Sequence, residues 1–79
     1  MHTVLLHIVS EEPILAEVEE LPKTTDISVY CINPRRRDGK ELHYVLAEVQ
    51  TIIVPIQRVH FIEIMPSGTE EEIISPFAD

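Results

Sequence analysis

The sequence predicts an all-β fold: a small, five-stranded, strongly bent antiparallel β-barrel, with a short C-terminal helix or arm beyond it. Three observations lead there. Turn signals punctuate short apolar runs along the whole chain, which is the all-β pattern. Five such runs fit into the first 66 of 79 residues, and an open sheet of that size has two bare edges and little core. The fourth run is long enough to bend and serve two sides of a barrel.

The first run, "TVLLHIV", is rich in β-branched and aliphatic residues and predicts a strand over 3–9. The cluster "SEEP" closes it at Pro13. The second run, "ILAEVEEL", is ambiguous. As a strand it places Ile14, Ala16 and Val18 on one face and Glu17 and Glu19 on the other. As a helix it forms a stripe of Ile14, Leu15, Val18 and Leu21, with Pro13 at the first helical position. Residue propensity leans to helix. The segment's shortness and its place between two strands favour a strand over 14–20, and a helix there would break the five-stranded barrel.

After the loop "LPKTTD", "ISVYCIN" is the clearest strand, over 27–33, followed by turn residues. "PRRRDGKE" is a polar connection whose Asp38-Gly39 pair is a hairpin signal. "LHYVLAEVQTIIV" then reads as one long strand over 42–54, bent or bulged between Glu48 and Thr51 and stopped by Pro55. "PIQR" is a tight turn, and "VHFIEIM" is the last strand, over 58–65. Residues 1–66 form one barrel domain. Residues 67–79 form an acidic tail, in which Thr69 and Glu72 suit a short helix and an edge strand or arm fits equally well.

Chemistry narrows the function. A chain this short buries roughly 60–65% of the surface its unfolded form exposes, so it needs a staple. Cys31 is the lone cysteine, which excludes an intramolecular disulfide and fits a reducing compartment. It reads as a small buried hydrophobe rather than a nucleophile paired with His43. His2, His7, His43 and His60 show no metal-ligand spacing. Self-association is the staple that remains. No cofactor motif appears: Gly39 and Gly68 are far apart and form no phosphate loop. No serine nucleophile motif appears either, so no enzyme is expected. No run reaches membrane-spanning length, and the first run lacks the basic leader and cleavage site of a signal sequence, so a cytoplasmic protein is expected.

The charges are sorted along the chain. The net charge is -8, with acids clustered at Glu11, Glu12, Glu17, Glu19 and Glu20 and again at Glu70, Glu71 and Glu72. Such a balance works against broad nucleic-acid or anionic-membrane binding. Among the six basic residues, only Lys23 and Arg58 lie outside residues 35–40. The candidate site is therefore Arg35, Arg36, Arg37 and Lys40, in the loop over residues 34–40. An arginine row there suits a phosphate or carboxylate ligand through charge-assisted hydrogen bonds. The same row also fits a plain solvated loop, or a contact with the Glu11–Glu20 acids of an adjacent subunit.

The stretch "TIIVPIQRVHFIEI" resembles the last two strands of Sm-like proteins, the small ring-forming barrels related to Hfq. Val59, Phe61 and Ile62 take the positions of that family's final strand. The resemblance implies the small bent barrel and assembly into a ring. It does not carry the family's RNA site, because "PIQR" stands where the Arg-Gly dipeptide belongs and "VYCINPRRR" lacks the Asp-containing motif. The N-terminal helix of the family has no counterpart.

The expected protein is thus a non-enzymatic, homo-oligomeric β-barrel used in binding or scaffolding, with a basic loop. The alternative is an RNA- or nucleic-acid-binding ring using Arg35, Arg36 and Arg37. Val29, Leu46, Ile53, Phe61, Ile62 and Ile64 are expected to be buried in the oligomer. Since Phe61 and Ile62 face opposite sides of one strand, one of them would meet another subunit.

Overall fold

The computed structural model describes residues 1–66. The acidic tail, with its expected helix or arm, lies outside them. Five antiparallel strands follow one another along the chain: β1 (His2–Ile8), β2 (Ile14–Val18), β3 (Ser28–Arg35), β4 (Thr51–Pro55) and β5 (Val59–Ile64). A three-residue 3-10 turn, Ile56–Arg58, joins β4 to β5. The strand order is β4-β3-β2-β1-β5, and the sheet curls strongly into a half-barrel.

The ambiguous second run is a strand, paired with β1 from His2–Val18 to Leu6–Ile14. Its place between β1 and β3 overrides the helical propensity of its residues, because the central ladders need it. β1 and β2 are buried on both faces, which explains their unbroken apolar stretches. On the concave face Val4, Leu6, Ile8, Ile14, Ala16 and Val18 join Val29, Cys31, Leu42 and Val54 in one cluster. On the other face Leu5 lies opposite Leu15, and both are also buried.

Two irregularities bend the sheet. Leu15 pairs with Arg35 and Glu17 with Ile32, so β3 carries an extra residue there. Asn33 sits in the left-handed region at φ 54, and Pro34 occupies the bulge, a place in a sheet that tolerates a missing N–H. The bulge lets β3 run two residues further than its apolar pattern. The second irregularity lies between His7 and Ile8, opposite Phe61 and Val59.

The long fourth strand is a correction. Only Thr51–Pro55 pairs with β3, and residues 42–50 form turns instead. The reason is visible in the burial pattern. Leu42 is buried and Val45 and Val49 are half-buried, while Leu46 is exposed. That spacing of three and four belongs to turns, not to the alternation of a strand. Two i to i+3 hydrogen bonds confirm it: the Val45 N–H donates to Leu42 O (3.4 Å) and the Val49 N–H to Leu46 O (3.0 Å). Within this segment Leu42 joins the concave cluster and Val45 packs against it.

Candidate functional site

The four basic residues of the loop do not act as one group. The bulge at Asn33 and Pro34 brings Arg35 over β2. There its fork meets the Glu17 carboxylate with two hydrogen bonds, Nη1 to Oε1 at 3.0 Å and Nη2 to Oε2 at 2.9 Å. Nη1 also donates to the Asn33 carbonyl (2.7 Å), and the Thr3 hydroxyl donates to Glu17 Oε2 (3.4 Å). Both side chains are largely shielded from solvent, so this bidentate pair ties β3 to β2.

Residues 36–40 form the tight turn that Asp38-Gly39 signals. The Arg36 N–H donates to Lys40 O (2.7 Å) and the Gly39 N–H to Arg36 O (2.8 Å), with Gly39 at φ 90. The Lys40 N–H donates to Asp38 Oδ1 (3.0 Å). This bond, helped by the nearby Arg36 and Lys40 charges, holds the Asp38 carboxyl below its usual range.

Arg36 reaches back to the β1–β2 turn. Its Nε lies 3.3 Å from Glu12 Oε1 and 3.7 Å from Asp38 Oδ1. The other Glu12 oxygen meets His43 Nδ1 at 3.1 Å, and the Tyr44 hydroxyl donates to the Glu12 carbonyl (3.4 Å). His43 and Tyr44 pack edge to face, 5.2 Å between centroids. Burial, then the Glu11 and Glu12 charges, raises the Tyr44 phenol above its ordinary pKa. An open cleft of about 390 Å³ lies between Glu12, Pro13, Arg36, Arg37 and Asp38. Arg37 and Lys40 are exposed and form no ion pair among the described residues.

Among the described residues outside the loop, the acids it meets are thus Glu17 and Glu12 of its own chain. Sequence clustering showed that the two groups were complementary. The bulge and the β1–β2 turn, which join them within one chain, leave no short-range pattern.

The second candidate surface is the pair of sheet edges. The Asn33 N–H donates to Gln50 O (2.7 Å), and this fixes the alternation along β4. Residues 52 and 54 bond inward to β3, so the backbones of Thr51 and Ile53 point outward; Pro55 has no N–H to offer. On β5 the Met65 N–H donates to Thr3 O (2.9 Å), so residues 61 and 63 bond inward and Ile62 and Ile64 point outward. Ile53, Phe61 and Ile64 are exposed along these edges, and Ile62 is half-buried. Of the residues expected to be buried in an oligomer, Val29 is already buried within one chain. Tyr30 lies opposite Ile53 and is exposed beside it.

Cys31 is fully buried, and burial pushes its thiol up to about 11. His7 stacks on Phe61 at 4.1 Å, and its Nε2 lies 2.8 Å from Glu63 Oε1. His2 and His60 are exposed. Among the described residues no three His, Cys, Asp or Glu side chains gather as a metal site, and no helix is long and apolar enough to cross a membrane. No protein-family model, no curated protein and no solved structure matches the chain.

Proposed function

We propose that the protein is a non-enzymatic, cytoplasmic, homo-oligomeric module that serves binding or scaffolding and presents the loop over residues 34–40 as its basic rim. One observation carries the reading: among the described residues both outer strands leave backbone groups unpaired beside exposed apolar side chains, Ile53 on β4 and Phe61 and Ile64 on β5. An edge of this kind is a template for pairing with another chain. Natural edges are blunted by charge or proline; Pro55 closes one end of β4, and neither Thr51–Pro55 nor the outward positions of Val59–Ile64 carry a lysine. A copy's β4 laid against its neighbour's β5 would extend one sheet into the next, as ring assembly in the Sm-like barrels implies.

On this reading Arg35 belongs to the fold, and the rim is Arg36, Arg37 and Lys40. Its ligand is an anion held by charge. Replacing Ile53 or Ile64 with lysine is expected to reduce the assembly to single 9.1 kDa chains that keep their sheet, read by light scattering and circular dichroism. An unchanged mass in both variants would contradict the edge reading. Replacing Arg37 and Lys40 with serine is expected to leave the mass unchanged and to abolish anion binding at low salt.

A further inference from the structure

We propose that Glu12 is a built-in competitor at the basic rim: a phosphate-class anion that takes Arg36 displaces the Glu12 carboxylate and thereby unfastens residues 43–49. The proposal rests on the reading of the loop as an anion-binding rim and adds its regulation.

The geometry is one of partial occupation. Arg35 has its whole fork committed to Glu17. The Nε of Arg36 lies 3.3 Å from Glu12 Oε1 and 3.7 Å from Asp38 Oδ1, and its terminal amines form no hydrogen bond with a described residue. Its side chain is nearly half exposed and opens on the cleft beside Arg37. A phosphate group would take that fork in two parallel hydrogen bonds, the arrangement guanidinium favours. The Glu12 carboxylate then stands against it as a like charge, and it leaves.

Glu12 does more than neutralise Arg36. One carboxylate oxygen meets Arg36 while the other meets His43, and the Glu12 carbonyl accepts the Tyr44 hydroxyl. These are fastenings between the β1–β2 turn and the 15-residue connection over 36–50, which has no strand or helix of its own. Connections of that length without secondary structure are uncommon and usually functional. Arg36 holds the carboxylate in the orientation that reaches His43. Taking Arg36 away therefore loosens His43 as well. Coupling of this kind is reciprocal, so a looser connection also binds the anion more tightly.

The test uses inorganic pyrophosphate as the probe at low salt, with calorimetry for affinity and amide exchange for the connection. Glu12→Ala lies on a surface turn and removes both carboxylate contacts. It is expected to bind pyrophosphate about 2- to 5-fold more tightly than the native chain, the value of an exposed ion pair. The Val45 and Val49 amides, held by turn bonds within the connection, are expected to exchange faster in Glu12→Ala. They are also expected to exchange faster in the native chain once pyrophosphate is bound, and pyrophosphate is expected to add nothing in the variant. Asp38→Asn serves as a charge control: it is expected to tighten binding without accelerating those two amides. Equal affinities for native and Glu12→Ala chains, binding without faster exchange, or equal loosening by Asp38→Asn would each overturn the competition while leaving the rim standing. No binding by the native chain or by either variant would overturn the rim and this inference together.

Discussion

Leu5 and Leu6 on β1 are 1% and 0% exposed, whereas Ile53 on β4 and Ile64 on β5 are 63% and 58% exposed. These residues have similar side chains and sit in one sheet. β1 and β2 have strand neighbours on both sides and are buried on both faces. Among the described residues the outer strands have one neighbour each, and their Ile53, Phe61 and Ile64 side chains stay exposed. Fully burying such a side chain is worth about 1.5–3 kcal/mol. The centre has realised that gain within one chain, and the edges have not. A chain with a core this small has most to gain from completing its edges with another copy.

The largest expected effect separates the two regions directly. Leu6→Ala is expected to destabilise the fold by about 2–5 kcal/mol in urea unfolding, because it opens a cavity in the concave cluster. Ile53→Ala is expected to change the stability of a single chain by less than about 1 kcal/mol and to act on assembly instead. Equal losses from the two would erase the distinction.

Alkaline pH sharpens the same contrast. Cys31 lies at the centre, and its thiol is raised from 9.0 to about 11 by burial. The folded state therefore favours the neutral thiol. Its contribution is complete below pH 9 and is lost as the pH rises through 11, by up to about 3 kcal/mol. The Tyr44 phenol, also raised, adds to the fall in the same direction. Cys31→Ala is expected to reduce the slope of stability against pH above 9, measured by urea titration at each pH. An unchanged slope would mean that the thiol does not stay buried.

The arginines give a smaller effect with the same division. Arg35→Ser strips the partner from a mostly shielded Glu17 carboxylate and is expected to cost about 1–3 kcal/mol. Arg37→Ser removes an exposed charge and is expected to stay within about 0.5 kcal/mol of the native stability. Similar losses in both would show that the Arg35–Glu17 pair does not tie β3 to β2.

What was legible in the sequence follows from range. The strands at His2–Ile8, Ser28–Arg35 and Val59–Ile64 announce themselves through local composition and turn residues, whereas Ile14–Val18 leans to helix by composition and is a strand by its place between two others. The 42–49 segment misleads because its aliphatic residues satisfy a strand count. Their spacing at 42, 45 and 49 fits turns, and this becomes decisive only once Leu42 is seen to be buried and Leu46 exposed. At the rim, the residue types were readable and their partners were not. Arg35 meets Glu17 because a bulge at Asn33 shifts the register, and Arg36 meets Glu12 because two turns converge. Register shifts and turn convergence arise from the whole sheet, and no window of neighbouring residues encodes them.

The native mass in solution, measured by sedimentation equilibrium over a wide concentration range, tests the central claim most directly. If the bare edges of β4 and β5 are completed by other copies, the mass is a whole-number multiple of 9.1 kDa and falls on dilution. A mass of 9.1 kDa at every concentration would contradict the account and leave Ile53, Phe61 and Ile64 exposed without a copy to cover them.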